Sequence, residues 1–449
     1  MDRRKFLKSS LYSIALAGIP TFSYSTTNPD VVVIGAGASG LAATARLMQE
    51  GKSVICIEAM NRIGGRCYTD NSIFGVPYDL GGHWLHNYPN NQFVKYAKAN
   101  KKEFKLYSDN ASSHVYDGTR KSDEGKKALR QLLKKLRKIE DQISMDVPII
   151  DFIPDEIQNN SWFDTVQKRF KTRDLNVYTP YDHMVNYESG WSSKNGLLKE
   201  GYGTLLAHYR KGVPVKLNTI ASEIKWDGKG VKVVTNKGTI SANKCIVTVS
   251  VGVLKAGKIK FTPKLPSRKY AAFENITMNA YLRIALQLNE RFYKKYSFKK
   301  DSYFYRKVKN EKSISPRTFS GYMKVGGTNV SWFHVKGQFA RDLDKEGNQA
   351  TLDFILNGLK SNFGSDFGEK YVLKSHITDW IHNPFTLGAY SGAMPGKASH
   401  RNILKKSVGD RIYFAGEATS GQFQTVHGAD TRGERVAEDV AFNQNNWSV

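Results

Sequence analysis

Short apolar runs separated by glycine-rich turns give the chain its most regular pattern. The run Val31–Ile34 contains only β-branched residues, which is typical of a strand buried in a parallel sheet. Helix-forming residues follow and end at Gly51, and a second apolar run, SVICIE, ends at Glu58. The order strand, turn, helix, strand predicts an α/β unit with parallel strands.

A second pattern, with the alternation of strands, lies between residues 200 and 255. The stretch VKLNTIASEI (215–224) predicts a strand, and GVKVVTNKGTI (230–240) predicts a hairpin with a tight turn over 236–238. Closer to the C-terminus, the run IYFAGE (412–417) predicts another strand. Both regions are therefore predicted to contain β-structure.

Between residues 126 and 143, apolar residues recur at helical spacing while lysines and arginines fill the other face. The apolar positions are Leu129, Leu132, Leu133, Leu136, Ile139 and Ile143. The pattern predicts an amphipathic surface helix. Its basic face leaves open the alternative of a helix that lies on a membrane surface.

Three glycines connect the first predicted strand to its helix at the spacing GxGxxG. Gly35 permits the tight turn, Gly37 lets the backbone approach a pyrophosphate, and Gly40 lets helix and strand pack closely. Glu58 lies 23 positions after Gly35, where an acidic residue binds ribose. The predicted cofactor-binding residues of this unit are Gly35, Gly37, Ala38, Ser39, Gly40 and Glu58. This context predicts a dinucleotide site and leaves NAD and FAD both open.

The next segment, EAMNRIGGRCYT (58–69), resembles the flavin-containing amine oxidase family, which carries E-A-x-x-R-x-G-G-R-x-x-T at this place. Two glycines and two arginines directly after a strand suit a loop against phosphates and a flavin ring. The matching residues are Ala59, Arg62, Gly64, Gly65 and Arg66. The resemblance implies FAD and an α/β two-domain fold, in which a Rossmann-like FAD domain joins an α+β substrate domain.

Further segments carry the resemblance along the chain in the family's order and spacing. They are YDLGGHWLHN (78–87), the stretch 200–255 and the block 411–440. The flavin contacts that they imply are Gly81, Gly82, His83, Trp84, Ile220, Gly416, Glu417, Thr425 and Val426. Ile220 would contact the adenine through its backbone. Thr425 and Val426 would lie under the flavin ring, where backbone N–H groups stabilise negative charge.

The implied domains are discontinuous along the chain. The FAD-binding domain would comprise residues 28–95, 200–265 and 396–449. The substrate-binding domain would comprise residues 96–199 and 266–395.

On the substrate side, the resemblance implies an aromatic cage residue at Tyr390, which would orient the amine over the flavin. Trp84 and His86 would face the catalytic cavity, and Glu188 would hold a distal ammonium group. Ala389 stands where monoamine oxidases have the cysteine that bonds to flavin, so the resemblance implies noncovalent FAD.

Arg283 is a departure from the family, which carries a lysine at this place beside flavin N5. Arginine keeps the charge, but it is planar and cannot act as a neutral base. The replacement therefore bears on the reaction of the reduced flavin with oxygen.

The implied reaction is oxidation of an amine. A hydride passes from the α-carbon to flavin N5, the imine hydrolyses, and O2 (forming H2O2) or another, periplasmic electron acceptor reoxidises the flavin. Two alternatives stay open. An L-amino-acid oxidase or a flavoenzyme like tryptophan 2-monooxygenase is one, because Arg283 can bind a carboxylate. A non-catalytic FAD-binding protein is the other. Trp84 stands where the amino-acid branch has an arginine, which favours a small-molecule amine substrate.

Charge and cysteine content bear on the possible partners, disulfides and metal sites of the protein. The chain has 449 residues and a formal charge of +26 without a nucleic-acid motif, so we interpret the charge as a basic solvated surface and predict no nucleic-acid partner. Cys56 and Cys245 lie in apolar runs and are predicted to be buried; with Cys67 they give no disulfide or metal pattern. No segment predicts a stable membrane span.

The N-terminal segment DRRKFLK (2–8) resembles a twin-arginine export signal, with Arg3 and Arg4 ahead of the apolar stretch 9–20. Asp2 departs from the usual serine or threonine. We predict a signal peptide over 1–27, the twin-arginine translocase as a partner during export, and a bacterial enzyme that is periplasmic or secreted and exported folded.

Overall fold

The computed structural model of the protein describes residues 28–171, 173–188 and 192–442. For Lys168 it describes the backbone only. The predicted signal peptide over 1–27 lies outside the described residues. Within the described ranges, no helix combines the length and the apolar character needed to cross a membrane.

The described residues contain strands that we number in chain order. They are β1 Val31–Ile34, β2 Val54–Ile57, β3 Thr69–Asp70, β4 Tyr78–Asp79, β5 Leu106–Ser108, β6 Ser113–Asp117, β7 Arg120–Lys121, β8 Gly196–Leu198, β9 Val215–Lys216, β10 Ala221–Lys225, β11 Val231–Thr235, β12 Gly238–Ala242, β13 Lys244–Val247, β14 Lys260–Thr262, β15 Ile276–Met278, β16 Tyr281–Leu288, β17 Ser302–Arg306, β18 Ser320–Met323, β19 Val330–Lys336, β20 Val372–Ile377, β21 Ser391–Ala393 and β22 Ile412–Phe414.

The α-helices are numbered in the same way. They are α1 Ala38–Gln49, α2 Gln92–Ala99, α3 Asp123–Gln142, α4 Asp155–Gln158, α5 Phe163–Phe170, α6 Tyr181–Asn186, α7 Tyr202–Tyr209, α8 Val251–Lys255, α9 Ser267–Asn275, α10 Glu290–Lys295, α11 Gln338–Glu346, α12 Asn348–Phe363, α13 Phe367–Tyr371, α14 His400–Lys405 and α15 Val426–Ala441. Short 3₁₀ turns cover Ile149–Phe152, Val325–Gly327 and Glu417–Thr419.

A five-stranded parallel sheet of order β22-β13-β1-β2-β9 forms the first layer. Its strands are apolar on both faces, because helices α1 and α15 cover one face and the strands β10 and β11 lie in the core against the other. Helix α15 packs against α1 so closely that a Cβ at Gly433 would lie 2.1 Å from the carbonyl oxygen of Ser39. The parallel α/β unit predicted from the sequence is confirmed, and Cys56 and Cys245 are buried in it.

The prediction of one strand over 215–224 is wrong in its extent. The stretch forms β9 in the five-stranded sheet and β10 in a separate four-stranded sheet of order β12-β11-β10-β14. Asn218, with a left-handed φ of 53°, lies in the turn between the two strands. The hairpin prediction is confirmed, because β11 pairs antiparallel with β12 and Thr235 lies opposite Gly238.

A seven-stranded sheet of order β20-β16-β19-β18-β17-β6-β7 forms the second large layer. It is antiparallel except for the parallel pair β17 and β6. Alternate residues of β16 point to opposite faces. Leu282, Ile284 and Leu286 enter an apolar core, while Tyr281 and Arg283 point to the other face.

Helix α3 confirms the amphipathic pattern predicted over 126–143. Ser122 caps it by accepting a hydrogen bond from the N–H of Gly125 at 2.8 Å. Leu129, Leu132 and Leu136 are buried in a core that also contains residues of α5 and β6. The apolar face of α3 is thus occupied by the protein's own core.

Candidate active site

The turn between β1 and α1 needs glycine at two positions because of its own packing. Gly35 has a φ of +104°, and a Cβ there would lie 2.7 Å from Thr248 Oγ1. A Cβ at Gly40 would lie 1.8 Å from the carbonyl oxygen of Gly35. Gly37 differs, because the nearest atom to its added Cβ is the Cα of Gly65 at 4.0 Å. The open space beside Gly37 is room that a ligand can fill.

The N-terminus of α1 lacks a cap of its own. Gly37 is the N-cap residue and offers no side chain, so the first N–H groups of the helix, at Ala38 and Ser39, have no partner inside the helix. Among the described residues, none hydrogen-bonds the buried hydroxyl of Ser39. Unpaired donors at the positive end of a helix fit a phosphate group.

The carboxylate of Glu58 lies at the end of β2 and is buried, with 5 % of the residue exposed. It accepts hydrogen bonds from the N–H of Ala36 at 2.6 Å and of Met60 at 2.9 Å. Burial raises the pKa of Glu58, and these two bonds oppose the rise. Each oxygen keeps a lone pair for the hydroxyls of a ribose.

The loop after β2 touches the first glycine turn. The N–H of Gly64 donates to the carbonyl of Ala36 at 2.8 Å, and a Cβ at Gly65 would lie 3.2 Å from the Cα of Gly37. Arg62 closes this loop on itself, because its Nη1 donates to the carbonyl of Gly65 at 2.9 Å. Ala59, which follows Glu58, belongs to the same loop.

Arg66 links that loop to distant parts of the chain. Its Nη1 donates to the carbonyl of Ala389 at 2.8 Å and to Glu417 Oε1 at 3.1 Å. A Cβ at Gly81 would lie 1.8 Å from the Arg66 carbonyl oxygen, so the segment 78–87 presses against the same loop. Predicted flavin contacts from three separate segments therefore meet here.

The start of α15 approaches the same place. A Cβ at Gly82 would lie 2.8 Å from Val426 Cγ2. Thr425 caps the helix, since its Oγ1 accepts the N–H of Gly428 at 3.0 Å. Gly416 has a φ of +128°, a conformation that glycine adopts without strain.

Ile220 sits at the edge of this region, with 39 % of the residue exposed. Its N–H donates to Asn236 Oδ1 at 2.7 Å, and its carbonyl accepts the N–H of Asn236 at 3.1 Å. A backbone contact from Ile220 to an adenine would have to compete with these bonds, so that contact stays a prediction.

On the substrate side, aromatic rings form a continuous series from Tyr390 to Trp84. The ring of Tyr390 lies 6.2 Å from Tyr281, and Tyr281 lies 5.5 Å from His334. Trp332 lies 5.6 Å from His334 and 5.7 Å from Trp84. We call these five rings the aromatic series. It brings together two residues predicted for the catalytic cavity, and strands β16 and β19 supply the other three rings.

Trp84 and His86 lie at the far end of the aromatic series. The Trp84 indole donates to Asp109 Oδ2 at 3.1 Å and stacks on the His86 ring at 6.0 Å between centroids. His86 Nδ1 lies 2.8 Å from Asn195 Oδ1. Burial lowers the pKa of His86, so its imidazole is neutral at pH 7. His83, in contrast, faces Asp79, with Nδ1 3.2 Å from the carboxylate.

Arg283 is only 2 % exposed, which excludes an outward position in a surface ion pair. Its Nη1 donates to the carbonyl of Asp79, and its guanidinium lies 4.4 Å above the Trp332 ring. The backbone N–H of Arg283 donates to Thr378 at 3.0 Å. Arg283 is therefore fixed between two neighbours, an arrangement that a shorter lysine cannot copy.

The structure does not bring Glu188 to the aromatic series. Its carboxylate pairs with Arg435 of α15, its side chain is 37 % exposed, and its N–H donates to the carbonyl of Gly421 at 2.8 Å. An exposed ion pair explains this acid without a substrate. The prediction that Glu188 holds a distal ammonium therefore gains no support from these contacts.

Sequence reasoning missed several residues at the site. They are Asp109, Tyr322, Trp332, Ser391 and Arg401. None of them falls in a motif with fixed spacing. The alternation of apolar residues in β19 was the one available signal, because it places Trp332 and His334 on the same face as Arg283.

Comparison with known proteins gives the chain a family. The description "Flavin containing amine oxidoreductase" matches residues 149–441, more than half of the chain, and "NAD(P)-binding Rossmann-like domain" matches residues 33–99. Polyamine oxidase 4 of Oryza sativa subsp. japonica is 27% identical over 458 residues, which cover 94% of this chain and 90% of that protein. Polyamine oxidase 2 of Arabidopsis thaliana is 27% identical, with coverage of 92% and 88%.

Solved structures show the same fold. Wild-type putrescine oxidase bound to putrescine superposes with a TM-score of 0.70 at 19% sequence identity, covering 92% of this chain and 99% of that one. The open space at Gly37, the uncapped start of α1 and the buried carboxylate of Glu58 fit the pyrophosphate and ribose of FAD. When bound, FAD supplies the hydride acceptor. The chain belongs to the flavin-containing amine oxidoreductase family and is an FAD-dependent amine oxidase.

Proposed function

We propose that the substrate is a diamine or polyamine and that Asp109 binds its second ammonium group. One observation carries the proposal. Asp109 Oδ2 accepts hydrogen bonds from Trp84 and, at 2.8 Å, from the Tyr322 hydroxyl. Its other oxygen, Oδ1, is buried and has no hydrogen-bond partner among the described residues.

A buried carboxylate oxygen without a partner is costly, and an ammonium group from the substrate would satisfy it. His86, which lies beside Trp84, is neutral and adds no opposing charge. The guanidinium of Arg169 interacts electrostatically with Asp109, so a substrate ammonium must compete with this arginine for the carboxylate. Polyamine and putrescine oxidases among the similar proteins agree with this substrate class.

The roles of the other residues follow from their places. Tyr390 would orient the reacting amine at the near end of the aromatic series, and Asp109 would fix the far end of the substrate. The reacting nitrogen must be neutral when its α-carbon loses hydride, so binding one end as a cation and the other as a free amine separates the two tasks.

The test is anaerobic mixing of the protein with putrescine, spermidine, tyramine, L-tryptophan or L-lysine, followed through the loss of flavin absorbance at about 450 nm. These compounds differ in whether they carry a second ammonium group, a carboxylate, both or neither. Putrescine or spermidine should bleach the flavin. For Asp109→Asn, we expect KM for the diamine to rise about tenfold or more while KM for tyramine stays the same. Bleaching by amino acids alone would overturn the proposed substrate class. An equal rise in KM for the diamine and for tyramine would show that Asp109 does not bind the second ammonium group.

We also propose that FAD is bound noncovalently. Ala389, whose carbonyl accepts from Arg66, has only a methyl side chain, which cannot form a bond to flavin. Acid precipitation of the purified protein should release all of its flavin into the supernatant. Flavin that stays on the denatured chain would contradict the proposal.

A last proposal concerns the route of the protein after synthesis. Arg3, Arg4 and the apolar stretch behind them support export by the twin-arginine route. A chain with both arginines replaced by lysine should stay in the cytoplasm with its flavin bound, whereas the unchanged chain should reach the periplasm. If the two chains were distributed equally between cytoplasm and periplasm, Arg3 and Arg4 would not be part of an export signal.

A further inference from the structure

A buried chain of hydrogen bonds connects helix α6 with Glu417. Arg401 of α14 is its central member and is 0% exposed. Its Nε donates to Asp182 Oδ1 at 2.7 Å, and its Nη2 donates to Oδ2 at 2.8 Å. Its Nη1 donates to Ser391 Oγ at 3.0 Å and to the carbonyl of Ala418 at 3.0 Å. One guanidinium thus binds three acceptors, through a planar set of donors that pairs with both oxygens of the Asp182 carboxylate at once.

Ser391 extends the chain to Glu417. Because its hydroxyl oxygen accepts from Arg401, its proton is directed to Glu417 Oε2, 2.8 Å away. The N–H groups of Ser391 and Gln424 donate to the same carboxylate at 3.0 Å each, and Arg66 donates at 3.1 Å. Four donors hold both oxygens of Glu417 in one orientation.

The same bonds fix the backbone on both sides of Tyr390. Ser391 directly follows Tyr390, and Ala389, which directly precedes it, is held by Arg66 through its carbonyl. The side chain of Gln424 donates to the carbonyl of Ser391 at 2.7 Å. The Tyr390 segment therefore has little freedom to shift relative to Glu417.

We propose that Arg401 is a positioning residue, which fixes Tyr390 and Glu417 relative to the flavin through the Ser391 hydroxyl. The inference rests on the role proposed above for Tyr390 and on the flavin contact that the sequence predicts for Glu417. It predicts that Arg401 acts on flavin affinity and on the hydride step although it touches neither flavin nor substrate.

The charge state of the pair agrees with this role. Burial alone would raise the pKa of Asp182, but the Arg401 guanidinium outweighs burial and holds the pKa below its usual value. The Asp182 carboxylate therefore stays ionised and keeps Arg401 oriented towards Ser391.

A purely structural ion pair is the competing explanation, and Lys269 provides a matched control for it. Lys269 is also fully buried, and its Nζ donates to the carbonyls of Ile403 at 2.9 Å and Leu404 at 3.0 Å. It thus binds the end of the same helix α14 that carries Arg401. Lys269→Met should loosen α14 without acting on the hydrogen bond from Ser391 to Glu417.

The experiment is a double-mutant cycle on the holoenzyme with Arg401→Met and Ser391→Ala. The FAD dissociation constant and the visible flavin spectrum are read without substrate, so they do not depend on the substrate class. We expect Arg401→Met to raise the FAD dissociation constant about tenfold. The double variant should bind FAD no more weakly than Arg401→Met, since both substitutions interrupt the same hydrogen-bond chain. Additive effects of the two substitutions would overturn the proposal.

The reaction supplies a second readout, with any amine that bleaches the wild-type flavin. Arg401→Met should lower the flavin reduction rate at saturating amine about tenfold and leave KM within about twofold, since misplacing Tyr390 affects orientation more than binding. An equal rate loss in Lys269→Met would assign the effect to α14 stability and overturn the proposal. If Arg401→Met does not fold, Arg401→Lys takes its place in the cycle.

Discussion

The two large sheets build their parts of the site in different ways. Around the five-stranded sheet, the ligand-facing groups are glycine backbone, helix N–H groups and one buried carboxylate, Glu58. Around the seven-stranded sheet, they are side chains of β16, β18 and β19, together with Asp109 from a loop. Backbone groups sit where the fold puts them, whereas side chains depend on partners far away in sequence.

This difference predicts how each half responds to change. Substitutions in the glycine turns act by steric overlap and should remove the flavin or the fold. Substitutions in the aromatic series should leave FAD bound and alter substrate selection. The following experiments test that division.

Gly40→Ala should have the largest effect, because its Cβ would overlap the Gly35 carbonyl oxygen at 1.8 Å. We expect a loss of about 3 kcal/mol of unfolding free energy, and little folded protein. Gly228→Ala is the control, since no atom lies within 4 Å of its added Cβ. Thermal unfolding of both variants measures the difference. Equal melting temperatures would show that the turn tolerates overlap.

Gly37→Ala distinguishes an effect on FAD binding from an effect on folding, because the protein without ligand has room for an alanine side chain at this position. The apoprotein should melt like wild type, while the FAD dissociation constant rises about tenfold or more, since backbone must approach the pyrophosphate closely. Isothermal titration with FAD measures the change. An unchanged affinity would mean that the pyrophosphate does not lie beside Gly37.

Acid should weaken the protein on both sides of the site through its buried histidines. Burial lowers the pKa of His114 to about 4 and that of His334 well below its usual value, so both stay neutral in the folded sheet. The unfolded chain takes up protons below about pH 6.5, whereas the folded sheet does not, so the protein loses stability as the pH falls towards 5, by at most about 2 kcal/mol for His114. Stability is full above that window and falls as the pH falls through it. Burial also lowers the pKa of His427, at the start of α15, to about 3. Hydrogen exchange at pH 5 and 7 should therefore locate the loss in β6, β19 and the start of α15, and no change in these segments would contradict the prediction.

Arg283→Lys should alter the reaction with oxygen while flavin stays bound. Lysine cannot reproduce both the bond to the Asp79 carbonyl and the contact with Trp332, so its ammonium is freer to meet water. We expect reoxidation of the reduced flavin by O2 to become faster, by about threefold or more. Stopped-flow reoxidation measures it. An unchanged reoxidation rate would show that Arg283 does not affect the reaction with oxygen.

Glu188→Gln should have the smallest effect. Its exposed pair with Arg435 contributes about 0–1 kcal/mol, so melting should hardly change. KM for the diamine should also stay constant, in contrast to Asp109→Asn. A large rise in KM would restore the role that the sequence motif predicts for Glu188.

Sequence reasoning predicted the local fold correctly where the pattern lies within one short stretch of chain. The turn at Gly35–Gly40 and the acid at Glu58 lie within one strand-helix-strand unit, so their spacing alone predicts the site. The same holds for helix α3, whose apolar spacing matches the residues it buries.

It failed where partners meet across the fold. Asp109 is 213 positions from Tyr322, and Arg401 is 219 positions from Asp182. No local pattern marks such pairs, because each residue alone resembles an ordinary polar surface position. Glu188 shows the converse, since a motif position suggested the cavity and the ion pair with Arg435 accounts for its contacts.

The packing of α15 on α1, through Gly433 and Ser39, has a consequence for synthesis. The first helix of the flavin sheet must wait for almost the whole chain to be made before its partner exists. Contacts this distant in sequence make folding slow, and the early β1–α1 unit exposes apolar surface meanwhile. Supply of FAD during expression should then raise the yield of folded protein, by trapping the late-closing pair of helices as soon as it forms.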